Sequence, residues 1–267
     1  MIEGRSTIVC LEDLPGAQVV SLEEDLVPAT VIRRVNRFVA EVEICGEVIS
    51  AHVPNSGRLP QVLEPGLGVL LADRRSSSRK TDFDVLFSRP ENERGEPMQW
   101  ALVDSRMPMS SFDGALELGM LPEFGVFHGV RREVTLGDSR IDYLLEDRKE
   151  DRRCWVEIKS VTLTFATPWG VEARFPDSPT TRGTRHVREL TGAVGDGVRC
   201  AVAFAVSRPE ATCFAPNAGE DPAFARALWE ASLAGVEVYA YRLVSDPAGG
   251  VSLDARIPVR IVEPGQI

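Results

Sequence analysis

The hydrophobic pattern changes period part-way along this chain, and that change constrains its fold more than any other feature. From Ala29 to about Ser88 the apolar residues come in short runs broken by turn residues, with no helical repeat apart from a single turn between Leu59 and Leu63. Between Arg37 and Ile44 the alternation is explicit: Phe38, Ala40, Val42 and Ile44 fall on one side, Arg37, Glu41 and Glu43 on the other. A period of two puts alternate side chains on opposite faces of a strand, so this segment is expected to be half-buried β structure with Phe38 turned inward. Cys45-Gly46-Glu47 supplies a hairpin turn and Val48 to Val53 the returning strand. Gly66 to Ala72 and Phe83 to Phe87 complete the series, and several short strands in some sixty residues predict a small OB-like β-barrel.

Ser88 to Gln99 is polar, carries Pro90, Gly95 and Pro97, and is the expected linker. A short helix is predicted over Ser110 to Leu118, then strands Arg131 to Leu136, Arg140 to Leu145 and Trp155 to Leu163. A long loop through Pro168, Gly170, Pro176 and Pro179 leads to a helix over Thr184 to Val194. Cys200 to Val206 is apolar throughout, as a strand covered on both faces requires. Asp221-Pro222 opens another helix ending at Gly235, with an acidic cap, proline at the first position and glycine at the end. Val236 to Leu243 is a last core strand, so hairpins followed by β-α-β-α-β predict a mixed sheet flanked by helices.

Composition narrows the function. The 267 residues include 43% apolar and 26% charged ones, which excludes disorder, collagen and coiled coil. A net charge of −10 argues against an indiscriminate DNA coat but permits a local basic groove, and Glu23-Glu24-Asp25 dilutes the positive field further. No apolar stretch reaches membrane-spanning or signal-peptide length, so a soluble cytoplasmic protein without a membrane partner is expected. Five cysteines, Cys10, Cys45, Cys154, Cys200 and Cys213, form no C-x-x-C; Cys45, Cys200 and Cys213 read as small buried hydrophobes. The three histidines, His52, His128 and His186, show no paired spacing, so a metal would have to be a hard cation held by carboxylates, such as Mg²⁺ or Mn²⁺.

Chemistry concentrates between Glu133 and His186. In Trp155 to Val161 the pleat puts Glu157 and Lys159 on one face and Val156 and Ile158 on the other. Asp142 interrupts an apolar hairpin strand, and an antiparallel partner brings it beside Glu157. Two carboxylates in one place repel unless a cation lies between them. A divalent metal on Asp142 and Glu157 would place Lys159 to orient or deprotonate water and to stabilise phosphoryl charge. From spacing alone, an exposed strand with a plain Glu–Lys cross-pair is the commoner outcome. Glu133 is a candidate outer ligand or a solvent-facing edge carboxylate; Asp177 a cleft wall or a turn residue. Arg182 and Arg185 suit a phosphate at a helix start, and His186 a proton shuttle or a packing residue.

Asp142, Glu157 and Lys159 in this strand pattern resemble the catalytic core of the PD-(D/E)xK phosphodiesterases, the restriction-endonuclease-like fold. Arg34-x-x-Arg37-Phe38, His52-x-Pro54-Asn55-Ser56-Gly57 and Arg79-Lys80 resemble the amino-terminal half of the sugar fermentation stimulation protein A family. Ile141-Asp142, Glu157-Ile158-Lys159-Ser160-Val161, Phe175-Pro176-Asp177 and Arg182-Gly183-x-x-His186-x-x-Glu189-Leu190 resemble its carboxy-terminal half, in order and spacing. The resemblance implies an OB-like barrel over residues 1–90 and a restriction-endonuclease-like α/β domain with a mixed sheet over 91–267. It also implies a bacterial or archaeal DNA-binding protein, with a Mg²⁺-dependent nuclease-type site at Asp142, Glu157 and Lys159. The DNA is expected to be single-stranded or structured, met by Arg34, Arg37, Arg58, Arg79 and Lys80, and the protein a possible homodimer. Two other functions stay open: a non-catalytic nucleic-acid-binding regulator on the same fold, and a binder or enzyme for a small phosphorylated molecule. The chain departs from the family pattern at Met109 and Gly114, where Asn and Glu are usual, at Val103-Asp104-Ser105 in place of Val-Asn-Thr, and at Thr181, where an acid is common.

Overall fold

The structure, a computed structural model, describes residues 12–13, 18–22, 25–147, 149, 151–195, 198–248 and 250–263; Cys10 and Glu23-Glu24 lie outside them. Two short strands, β1 (Glu12–Asp13) and β2 (Gln18–Ser21), precede β3 (Leu26–Asn36), β4 (Val39–Ile44), β5 (Glu47–His52), β6 (Gly68–Asp73) and β7 (Phe83–Arg89). The last five pair antiparallel in the order β5-β4-β3-β6-β7, and a parallel rung between His52 and Asp84 joins β5 to β7 and closes a barrel. Alternation works as the sequence predicts: Ala40, Val42, Ala51, Val69 and Leu71 are buried in one cluster with Val31 and Val85.

Two inward assignments are corrected. Arg37 and Phe38 form the β3–β4 turn, held by Asn36 Oδ1 accepting from the Phe38 N–H at 2.8 Å, and Phe38 is half-exposed. Cys45 is exposed, because it and Gly46 make a two-residue turn with φ of 52° and 87°, the geometry that matches the twist of a hairpin.

Ser88 to Gln99 is not a linker. It closes on itself through a Glu91–Pro97 bridge and through Asn92 Oδ1, which accepts from the Arg94 and Glu96 N–H groups. It returns as β8 (Ala101–Leu102) on β7, and Ala101 and Val103 belong to the barrel core. The sheets therefore do not divide at residue 90, and β1 and β2 pair with the last strand of the second domain.

That domain comprises α1 (Met107–Glu117), a 3-10 turn at Pro122–Phe124, β9 (Gly129–Leu136), β10 (Ser139–Asp147), β11 (Arg152–Val161), β12 (Leu163–Thr167), β13 (Gly170–Phe175), α2 (Thr181–Ala193), β14 (Val198–Val206), β15 (Cys213–Pro216), α3 (Pro222–Leu233), β16 (Glu237–Asp246) and β17 (Gly250–Arg256). Its main sheet runs β1-β17-β16-β14-β11-β10-β9, with β11, β14 and β16 parallel and the flanks antiparallel. The apolar β14 is buried on both faces: Ala201, Ala203 and Ala205 meet the α1 side, while Cys200, Val202, Phe204 and Val206 meet α2 and α3. The expected long loop after β11 is instead the hairpin β12–β13, which with β15 makes a small third sheet. Its alternation is short and interrupted by Pro168, which hides it from a pattern count.

Gly114 has a packing reason. A Cβ there would lie 2.3 Å from the Val19 carbonyl oxygen, because β2 is laid directly on α1. Alanine normally favours a helix interior by about 1 kcal/mol over glycine. Gly114→Ala is nevertheless expected to lower stability by about 1–2 kcal/mol, since β2 must move off the helix. A shift of the urea midpoint upward instead would show that β2 is not seated there.

Candidate active site

Antiparallel register brings the two acids together. The last paired rung of β10 and β11 is Tyr143–Val156, and Asp142 and Glu157 are the next residues on the two strands. The Ile158 N–H donates to Asp142 Oδ2 at 2.7 Å. Glu157 is only 2% exposed. Its Oε1 accepts from Lys159 Nζ and from His186 Nδ1, while its Oε2 is buried with no hydrogen-bond partner. Burial, and then the charge of Glu157, push the Asp142 carboxyl up to about 6, against the Ile158 N–H, Lys159 and His186. Glu157 is itself held below the usual carboxylate range: burial acts to raise it, and Lys159 and His186 outweigh burial.

His186 reaches the site because α2 is amphipathic, with Gly183, Thr184, His186, Val187 and Leu190 buried and Arg182, Arg185 and Arg188 exposed. Thr180 caps the helix, its Oγ1 accepting from the Gly183 N–H at 3.0 Å. Arg182 Nε donates to His186 Nε2 at 3.3 Å, so Nδ1 carries the proton that goes to Glu157. With both nitrogens engaged, His186 positions Glu157 and has no free lone pair for proton shuttling or for a metal.

Among the described residues no group of three or more His, Cys, Asp or Glu side chains has a metal-holding arrangement. Asp142 and Glu157 nevertheless fit a hard cation: two carboxylates, one oxygen left without a partner, and a raised carboxyl that a positive charge would relieve. Backbone oxygens and water would have to complete the shell.

The other sequence candidates lie elsewhere. Glu133 is an exposed strand residue at φ 50°, paired with Arg140 at 2.5 Å. Asp177 joins the two domains, its Oδ2 accepting from the Leu59 N–H at 2.9 Å, and it packs so closely on Gly57 that a Cβ there would lie 2.7 Å from that oxygen. Two motifs more than a hundred residues apart thus meet. Arg34 is consumed by carbonyls, Nε to Asn36 at 3.2 Å and Nη2 to Arg37 at 2.6 Å, and Arg58 pairs with Glu220 across the domains at 2.8 Å. Arg37 and Lys80 are exposed, and Arg79 binds Asp84. Sequence reasoning missed Asp84, whose signal was a carboxylate inside the apolar run Phe83 to Phe87.

A closed OB-type barrel joined to a restriction-endonuclease-like α/β domain, with an acid pair and a lysine on the neighbouring strands β10 and β11, defines the class. The profile of the sugar fermentation stimulation protein RE domain matches residues 106–249, and that of the SfsA N-terminal OB domain matches residues 32–100. The chain belongs to the sugar fermentation stimulation protein family. Homologues from Chloroflexus aurantiacus and Moorella thermoacetica are each 40% identical, over 88% and 91% of this chain and 85% and 100% of theirs. The structure of Pyrococcus furiosus SfsA in complex with Ca²⁺ is similar at a TM-score of 0.80 and 32% identity, covering 92% of this chain and all of that one. No helix among the described residues is long and apolar enough to cross a membrane.

Proposed function

We propose that this protein binds DNA, single-stranded or structured, and hydrolyses its phosphodiester bonds with Mg²⁺ or Mn²⁺ at Asp142 and Glu157. The observation that carries this reading is the buried, partnerless Glu157 Oε2 beside the Asp142 carboxyl, which is raised by burial first and by the Glu157 charge second. The Pyrococcus relative in complex with Ca²⁺ supports a family affinity for hard cations. A bound cation would supply Lewis acidity at a phosphoryl oxygen and lower the pKa of water. Lys159 neutralises charge developing on the phosphoryl oxygens, His186 and Arg182 keep Glu157 in place, and the exposed Arg185 and Arg188 on α2 contact flanking phosphates. Arg37 and Lys80 extend the cationic track on the barrel.

Single-stranded, branched and duplex DNA should be incubated with Mg²⁺ or Mn²⁺ and the products resolved by length. Wild type is expected to cut at least one, and Glu157→Gln or Lys159→Met to lose about a hundredfold or more in rate while still binding DNA. DNA binding by wild type without metal-dependent cleavage would replace this reading with that of a non-catalytic regulator.

A further inference from the structure

The small third sheet has aromatic side chains on its solvent face, where polar ones are usual. Its other face gives Ala173 and Phe214, opposite each other on β13 and β15, to the core of the second domain. On the solvent face Phe165 of β12 stands opposite Glu172 of β13, and Arg174 follows two residues along the same strand. Glu172 is 3% exposed and divides its oxygens between two guanidinium groups: Arg174 Nε donates to Oε1 and Arg260 Nη1 to Oε2, each at 2.7 Å. Each guanidinium in turn lies over an aromatic ring. Arg174 is 4.5 Å from the centroid of Phe165, and Arg260 is 4.2 Å from that of Trp169, in the β12–β13 turn. The surface thus runs ring, guanidinium, carboxylate, guanidinium, ring.

This ladder is anchored and open. A buried acid fixes both guanidinium groups and these brace the rings, so little side-chain entropy remains to be lost on binding. Trp169 is 57% exposed although Arg260 covers part of its ring, and Phe165 is 38% exposed beside Arg174. Leaving two large rings in water is unfavourable, and the ion pairs alone do not require it. The guanidinium groups are themselves 33% and 42% exposed, two to one carboxylate, in a chain whose net charge is −10. An anionic partner with flat apolar groups matches both features, and a nucleic-acid strand supplies the two at regular spacing. The ladder also follows directly from the acidic site. β11, which carries Glu157 and Lys159, passes into β12 with only Thr162 between them. Phe165 lies six positions after Lys159, and hence within about 20 Å of it.

We propose that Phe165 and Trp169, braced by Arg174 and Arg260, form a stacking platform for the unpaired bases of a single-stranded nucleic acid. Every base has a π face, so such rings accept any sequence, and the guanidinium groups beside them meet backbone phosphates. The inference rests on the DNA-binding reading above and adds the place where unpaired bases lie; it does not depend on cleavage.

Oligothymidylate is the probe, titrated into the intact chain without divalent metal, beside a strand of equal length whose sugars carry no bases. Binding is read by the anisotropy of labelled strands and, with unlabelled ones, by intrinsic emission. Trp169 is the only exposed tryptophan of the four, so quenching by oligothymidylate locates a base on it. Wild type is expected to be quenched and to bind oligothymidylate about tenfold more tightly than the abasic strand. Trp169→Ala is expected to lose the quench and about tenfold in affinity, while Trp169→Phe keeps most of the affinity. The position is an exposed turn, so both variants should melt with wild type, which separates a lost contact from a lost fold. Binding unaffected by Trp169→Ala, equal binding of the two strands, or binding of duplex DNA alone overturns the platform and leaves the DNA-binding reading standing. No binding of any DNA, duplex and branched included, removes both.

Discussion

His186→Ala is expected to lower the unfolding free energy by about 3 kcal/mol at neutral pH, the largest loss for any single side chain around the acid pair. The imidazole is almost fully buried, 1% exposed, and supplies one of only two donors to a carboxylate that is itself sealed from water. Removing it leaves Glu157 with Lys159 alone, and opens a cavity under α2 next to Val187 and Leu190. Lys159 cannot take up both roles, since its ammonium already occupies the same oxygen, Oε1. His186→Asn retains a donor near the place of Nδ1 and should cost roughly half as much. Equilibrium urea denaturation of the three proteins gives the comparison. Losses below about 1 kcal/mol for both variants would mean that water satisfies Glu157 and that His186 is not its positioning residue.

The site was legible in the sequence where it follows from strand periodicity, and hidden where it depends on what tertiary packing brings close. Glu157 and Lys159 on one face of β11 follow from a period of two, and the neighbouring place of Asp142 from antiparallel pairing. The tautomer and role of His186 could not be read, because they depend on α2 crossing β11 with Arg182 one turn before it. The cationic residues show the same division. Arginines at 34, 58 and 79 look alike as a solvated run, yet in the fold Arg34 staples loops, Arg58 bridges the domains and Arg79 holds a buried acid. Phe38 continues the alternation of β4 in sequence but stands outside the strand, in the turn that the Asn36 side chain caps. Pro90, Gly95 and Pro97 suggested a linker, since a hairpin loop and a linker share composition and differ only in whether the flanking strands pair. The apolar β14 and the capped α3 came out as expected, for there local chemistry and global packing agree.

Asp142→Asn should move stability the other way. In the metal-free fold the Asp142 carboxyl is raised to about 6, from an ordinary value of 3.8, by burial first and by Glu157 second. A raised carboxyl means that folding favours the neutral acid. The stability it contributes is complete below about pH 4 and is lost as the pH climbs through about 6. At 1.36 kcal/mol per unit the loss approaches about 3 kcal/mol, and asparagine, which never ionises, escapes it. The variant keeps an oxygen to accept from the Ile158 N–H. Without metal it is therefore expected to match wild type near pH 4 and to exceed it by about 2 kcal/mol at pH 8, some 4–8 °C in melting temperature. Glu157, whose carboxyl is lowered, contributes above its unfolded pKa in both proteins and largely drops out of the difference. Millimolar Mg²⁺ or Mn²⁺ should then reverse the order at pH 8, because the cation stabilises only the fold that offers it both carboxylates, by about 2.7 kcal/mol at a hundred times the dissociation constant. A variant no more stable than wild type at pH 8 without metal would remove the electrostatic argument for a cation. An equal metal response in both proteins would place the cation elsewhere.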